Sequence, residues 1–295
     1  MNSRRIAESR QNVEECVRLA CLLEATARKP GNVHPQASFD DLTYADFLSS
    51  ADVIAPVLAR SRELGVGRTI LTAIQKTHAN SSGNTNLGIV LLLAPLAAVP
   101  AERPLTDGIG DVLGGLTNDD AAYVYEAIRL ANPGGMGKVH KADLSQEPTG
   151  TLLEMMQLAA DRDSIAAEYA NGFDLVLNTG VPLLEAAENF THRWEEAIIH
   201  LHLKLMADVP DTLIARKCGR ETAESSAAKA RGVLGSGWPA TDQGQREFDE
   251  LDRWLRADGN RRNPGTTADL VTAVLFAALR EGRVPIPEWQ IPKGF

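Results

Sequence analysis

Three observations predict an all-α fold for this 295-residue chain. Aromatic residues are only 5% of a sequence whose hydrophobic share is 44%. Its apolar content is therefore rich in Ala and Leu, which pack helix on helix with little side-chain entropy lost. Apolar residues recur at intervals of three and four through most of the chain, the period of one helix face, and the strict alternation of a half-buried strand is scarce. The expected architecture is a single compact multi-helix domain over residues 1–295, or two closely packed helical halves. The Asn132–Pro148 loop is the best place for a subdivision.

The first helix is expected over Ile6–Ala27, where Val13, Cys16, Val17, Ala20 and Leu23 share a face, and Lys29-Pro30-Gly31 ends it. Thr43 with Asp46 three residues on has the pattern of a capping box ahead of Phe47, Ile54, Val57 and Leu58, and Pro56 is expected to kink or break that helix. Thr69–Thr77 reads as a short helix and Leu87–Ala94 as a buried one that Pro95 kinks or ends. Thr117, followed by Asp119 and Asp120, opens a helix through Tyr123, Ile128 and Leu130 that Asn132-Pro133-Gly134-Gly135 stops. Further helices are predicted over Thr149–Ala160, Ser164–Ala170, Val181–Met206, Thr212–Leu234, Gln243–Ala257 and Thr266–Arg280. One short stretch, Phe173–Leu177, is strand-like.

A formal charge of −9 argues against a nucleic-acid partner held by a general basic surface, since such binding neutralises phosphates with Lys and Arg. Cys16, Cys21 and Cys218 have neither CxxC spacing nor an even count, which suits a reducing cytoplasm. The N-terminal MNSRRIAESRQNVEE lacks the apolar core of a secretory signal. From Leu87 to Ala101 the chain is apolar but carries Gly88, Pro95 and Pro100 and falls short of the roughly 20 residues that cross a bilayer. A cytoplasmic protein with no membrane partner is expected.

The polar loops between these helices hold more functional groups than connections need. Lys29-Pro30-Gly31-Asn32-Val33-His34 and the following Ser38-Phe39-Asp40-Asp41 offer a cation, an imidazole and adjacent carboxylates, enough to grip a phosphate and Mg²⁺. The same residues also suit a helix end and the cap of the next helix. Lys76-Thr77-His78-Ala79-Asn80 leads into Gly83-Asn84-Thr85-Asn86, where three polar residues stand at the start of the buried helix. One would suffice as a cap, and its free N–H groups can hold an anion. Asn132-Pro133-Gly134-Gly135-Met136-Gly137-Lys138 is not a Walker motif, because Asn132 replaces the first Gly and Val139 the Ser or Thr. Asp208-Val209-Pro210-Asp211-Thr212 with Arg216-Lys217 reads either as a cap or as a magnesium and phosphate site. Asn263-Pro264-Gly265-Thr266-Thr267-Ala268-Asp269 is a loop and first helical turn. His192, His200 and His202 do not share a face, and no GxSxG, HExxH or Rossmann fingerprint is present.

Taken together, Lys29-Pro30-Gly31 with Asp40, Asn84-Thr85 closed by Gly88, Asp211-Thr212 with Arg216, and Asn263-Pro264-Gly265 with Ala268-Asp269-Leu270 resemble the triphosphoribosyl-dephospho-CoA synthase family over nearly the whole chain. The chain looks like a divergent branch: Gln36-Ala37-Ser38-Phe39-Asp40-Asp41 stands for the family's Gly-Ala-His-x-Asp-Met, and Asn84-Thr85-Asn86-Leu87-Gly88 for Asn-Thr-His-Lys-Gly. The resemblance implies an all-helical transferase that uses ATP and Mg²⁺. It joins the ribose C1′ of ATP to the 2′-hydroxyl of 3′-dephospho-CoA, or a related acceptor, and releases adenine. Asp40, Asp208 and Asp211 are then expected to position Mg²⁺. Lys29, Asn32, Asn84, Thr85, Asn86, Arg216 and Lys217 would bind nucleotide and phosphate, His34, His78 or Asp211 would serve catalysis, and Asn263 and Asp269 would complete the site. The partners expected are small molecules, and a homodimer is open to it. Two alternatives stand beside this reading: an enzyme of another coenzyme pathway, such as that of a one-carbon carrier, with a different acceptor, and a non-catalytic helical nucleotide-binding protein.

Overall fold

The computed structural model describes residues 12–80, 86–134, 144, 146–187 and 190–286. It is helical throughout, apart from one extended segment at Ala257–Asn260. The helices are α1 (Val13–Thr26), α2 (Tyr44–Leu58), α3 (Ser61–Leu64), α4 (Val66–Asn80), α5 (Leu87–Ala98), α6 (Leu105–Gly114), α7 (Asn118–Ala131), α8 (Leu152–Gln157) and α9 (Ser164–Ala170). A π-helical turn, Leu175–Gly180, precedes α10 (Val181–Glu185), α11 (Phe190–Asp208), α12 (Thr212–Cys218), α13 (Arg220–Gly235), α14 (Asp242–Arg256) and α15 (Gly265–Arg280).

Two helices form the centre. In α5 every residue but Gly88 is buried, and in α15 every one from Thr266 to Arg280 except Asp269 is. A helix that is apolar on all sides has to be surrounded by others, and α15 packs against α1, α5, α10 and α11. Pro95 does not end α5, which runs on to Ala98. Proline removes the N–H that would have bonded the carbonyl four residues back. The Tyr169 hydroxyl donates instead to that Leu91 carbonyl at 2.6 Å. At the far end the buried Arg280 guanidinium donates to the Val99 and Pro100 carbonyls at 2.8 and 2.9 Å, a cation placed where the helix dipole favours it.

One hydrophobic core runs from Cys16 to Val284 and draws on helices from both sides of the Asn132–Pro148 loop. A smaller cluster, including Leu203, Ile214, Ala230, Trp238 and Leu255, joins α11 to α14. The caps read from sequence form: Thr43 with Asp46, and Thr117 with Asp120. Pro56 lies inside α2, two residues before its end. The predicted Val181–Met206 helix is two helices, and Thr212–Leu234 is interrupted at Gly219, whose φ is 91°.

The strand-like Phe173–Leu177 stretch is helical instead. Phe173 takes φ 62° two residues ahead of the π-helical turn, whose Val176 N–H donates to the buried Glu168 carboxylate at 3.0 Å. Burial pushes the Glu168 carboxyl up to about 7, against 4.5 for an ordinary glutamate. Because the folded value lies above the unfolded one, this group's contribution to stability is complete below about pH 4.5 and is lost as pH rises through about 7. Glu168→Gln is therefore expected to gain stability over the parent between about pH 5 and about pH 8, checked by urea midpoints at both values. An equal difference at both would remove Glu168 as the source.

Candidate functional site

The polar loops do converge. They surround a cavity of about 1040 Å³ between α1, α4, α5, α7, α8, α9, α12 and α15. Its polar side begins at the loop after α1. There Gly31, at φ 76°, passes so close to α14 that a Cβ would lie 2.8 Å from that of Leu255. Only glycine tolerates both the angle and the approach. The Gly31 N–H donates to Asp252 at 2.8 Å, and Arg256 ties Asp252 to the Asn32 carbonyl. Thus held, the Asn32 amide donates to Asn263 Oδ1 at 2.7 Å, joining the first and last of the polar loops, while its own Oδ1 has no partner among the described residues.

Asp211 is the second tie. Its Oδ1 accepts from the Leu213 and Ile214 N–H groups at 2.9 Å, capping α12, and its Oδ2 accepts from Thr267 N–H at 2.7 Å and the Thr267 hydroxyl at 2.9 Å in the first turn of α15. One buried carboxylate thus clamps two helix N-termini. Burial raises its pKa while these four donors lower it, with burial prevailing. From the two clamped helices Arg216, Lys217, Thr266 and Asp269 line the cavity.

The start of α5 opens into the same space. Asn86, 3% exposed, donates to the Ser50 and Thr77 hydroxyls at 2.6 and 3.0 Å, and Asn86, Leu87, Gly88 and Ile89 all line the cavity. A Cβ on Gly88 would meet Asp269 Oδ2 at 1.9 Å and Ile165 at 2.9 Å. Glycine at this position is what lets the Asp269 carboxyl lie against the helix.

Among the described residues four carboxylates line the cavity, and three are committed. Glu24 pairs with Lys29 at 2.9 Å. Asp41 accepts from the Asn260 amide at 2.7 and 2.8 Å. Asp163 caps α9 through Ile165 and Ala166 and pairs with Arg216 at 3.0 Å. Asp269 has no hydrogen bond or ion pair among the described residues. Its pKa is raised well above the ordinary range by burial first, then by the charges of Glu24 and Asp211.

Of the residues expected in the site, Asn32, His78, Asn86, Arg216, Lys217, Asn263 and Asp269 line the cavity. Asn84 and Thr85 lie outside the described residues. Lys29 does not reach it: the side chain is wholly buried behind Glu24, bonded also to the Glu24 and Ala27 carbonyls. His34 is likewise absent from the lining, and burial, with Arg256 and Lys29 nearby, pushes its pKa down to about 4. The expected magnesium cluster does not form. Asp208 pairs with Lys204 on the surface, Asp211 is saturated by backbone and hydroxyl donors, and Asp40 is exposed in a smaller recess at the cavity rim. Among the described residues no three His, Cys, Asp or Glu side chains group to hold a metal ion.

Sequence reasoning missed Glu24, Asp163 and Asn260. Glu24 sits one turn before Lys29, and a helix face that is apolar elsewhere should have drawn notice to a carboxylate upon it. Among the described residues no helix is long and apolar enough to cross a membrane.

Residues 10–286 match the family model described as ATP:dephospho-CoA triphosphoribosyl transferase. A protein of Malonomonas rubra named as a 2-(5″-triphosphoribosyl)-3′-dephosphocoenzyme-A synthase is 24% identical over 282 residues, covering 88% of this chain and 84% of the relative. One of Pseudomonas fluorescens, named likewise, is 33% identical over 105 residues, 36% of each chain. The crystal structure of an Archaeoglobus fulgidus protein named as a triphosphoribosyl-dephospho-CoA synthase superposes with a TM-score of 0.62 at 27% identity, covering 80% of this chain and 99% of that one.

Proposed function

The chain belongs to the ATP:dephospho-CoA triphosphoribosyl transferase family, and from that premise we propose that it transfers the triphosphoribosyl group of ATP to the 2′-hydroxyl of 3′-dephospho-CoA with release of adenine. The observation that carries this reading is Asp269, a cavity carboxylate without a partner among the described residues, lying between two helix N-termini and close to Arg216. Such a group is suited to take a proton. A carboxylate serving only the fold would be expected to have found a donor.

In the proposed reaction the C1′–N9 bond of ATP breaks and a bond forms between C1′ and the acceptor oxygen. Asp269 accepts the hydroxyl proton, and its raised pKa makes it a stronger base than a surface aspartate. His78, the imidazole that lines the cavity, supplies the proton taken up by adenine. Arg216 and Lys217 bind phosphate oxygens, Arg216 being aimed by Asp163. The first turn of α5 lines the same cavity, so the positive end of its dipole adds to the attraction for an anion. Carboxylates around the reacting carbon favour positive charge developing on the ribose. Magnesium accompanies the triphosphate as its counter-ion and does not need a cage of protein carboxylates.

Incubation with ATP, Mg²⁺ and 3′-dephospho-CoA is expected to yield free adenine and a product heavier by one triphosphoribosyl group, read by mass spectrometry. Adenine release without that product would assign a different acceptor, and no nucleotide binding at all would overturn the reading.

A further inference from the structure

The cavity is chemically two-sided, and the proposed chemistry occupies only one side. Its ionisable and amide groups come mainly from the α1 end, α12, the Ala257–Asn260 segment and the start of α15. The lining from the bodies of α7 and α8 includes Val124, Tyr125, Ile128, Leu152, Met155 and Met156. No side chain in that group carries a formal charge. Gly88 marks the seam, touching Asp269 on the polar side and Ile165 towards the apolar one.

Such a wall cannot serve a triphosphate or a diphosphate, which need cations and N–H donors. It is also a poor adenine pocket. Adenine is read by fixed hydrogen-bonding groups along its edge, and here five of the six side chains offer no strong donor or acceptor. Adjacent methionines form adaptable surface that suits a flexible, uncharged chain. One substrate of the proposed reaction has such a part. We propose that this wall is the subsite for the pantetheine arm of the acceptor, so that it selects acceptors carrying a long uncharged chain on the diphosphate. With the arm against α7 and α8, the diphosphate crosses towards the polar side and the acceptor ribose follows it there, where Asp269 can meet its 2′-hydroxyl. The inference rests on the acceptor named above.

The test is a steady-state comparison of both substrates in the parent and in Met155→Trp, which fills the subsite, with Ile128→Trp on the facing helix as a second variant should the first not fold. A blocked arm is expected to raise KM for 3′-dephospho-CoA roughly tenfold or more, a cost of the size overpacking produces, while KM for ATP stays within about twofold. Free pantetheine should inhibit the parent competitively against 3′-dephospho-CoA and lose that effect in the variant. A raised KM for ATP instead would assign the wall to the donor base, and an unchanged KM for 3′-dephospho-CoA would show that the arm lies elsewhere; either overturns the inference. If the parent itself releases no adenine with 3′-dephospho-CoA, the proposed function has failed, and this subsite with it. That outcome is distinct from a parent that turns over while the variants leave its KM untouched.

Discussion

Asp269→Asn is expected to lower kcat by about 10²- to 10⁴-fold, the range lost when a general base is removed. Asn has the shape of the carboxylate but cannot take the acceptor's proton. The acid limb of the pH–rate profile, where activity rises as Asp269 ionises, should vanish with it. Stability moves the other way. Burial and the charges of Glu24 and Asp211 hold the folded-state pKa up, so the parent loses stability as pH rises above the ordinary aspartate range, and the neutral amide escapes that loss. The variant should therefore unfold at a urea concentration no lower than the parent's. A kcat within about threefold of the parent would remove Asp269 from the role of base. Catalytic groups are often a cost to the fold that carries them.

Lys29→Met is expected to destabilise the protein by about 3–5 kcal/mol, the penalty for stripping one partner from a buried ion pair. Glu24 is 4% exposed and would be left charged in the cavity wall without its cation. His202, wholly buried near Lys29, does not substitute, because burial, the larger cause, holds its pKa well below normal even without that cation. Adding Glu24→Gln should restore much of the loss, since the uncompensated charge is then gone; the double-mutant cycle reads the coupling from urea midpoints. A single-variant loss below about 1 kcal/mol would mean that Glu24 finds another partner or a proton.

What the sequence disclosed was local. The capping box of Thr43 with Asp46 forms as read, and the helix start read at Thr117 with Asp119 and Asp120 forms with Thr117 and Asp120 as a capping box, the partners in each lying three residues apart. The buried start of α5 was legible for the same reason. What it could not disclose was how distant segments meet. Asn32 and Asn263 bond across a separation of 231 residues, and nothing near either one announces the other. Asp163, which the sequence reading passed over, caps α9, and its second oxygen orients Arg216 from another part of the chain. Lys29 and Asp211 looked like ligand groups because charge in a loop was taken as exposure. Each is buried with its hydrogen bonds internal, so each shapes the site from behind. Helix α6 escaped notice because Gly108, Gly110 and Gly114 lower its helix propensity, while burial of Leu105, Ile109 and Leu113 holds it.

The clamp at Asp211 also bears on how this site can diverge. Arg216, the arginine proposed to bind phosphate, and Asp269, one turn into α12 and α15, take their spacing from a single carboxyl group. A substitution that shifted one would disturb the other, so the reacting half of the site is inherited as a unit. The α7 and α8 wall is not attached to that unit by any such bond among the described residues. New acceptors can therefore be accommodated by exchanging aliphatic side chains there, with the bond-making geometry left as it stands.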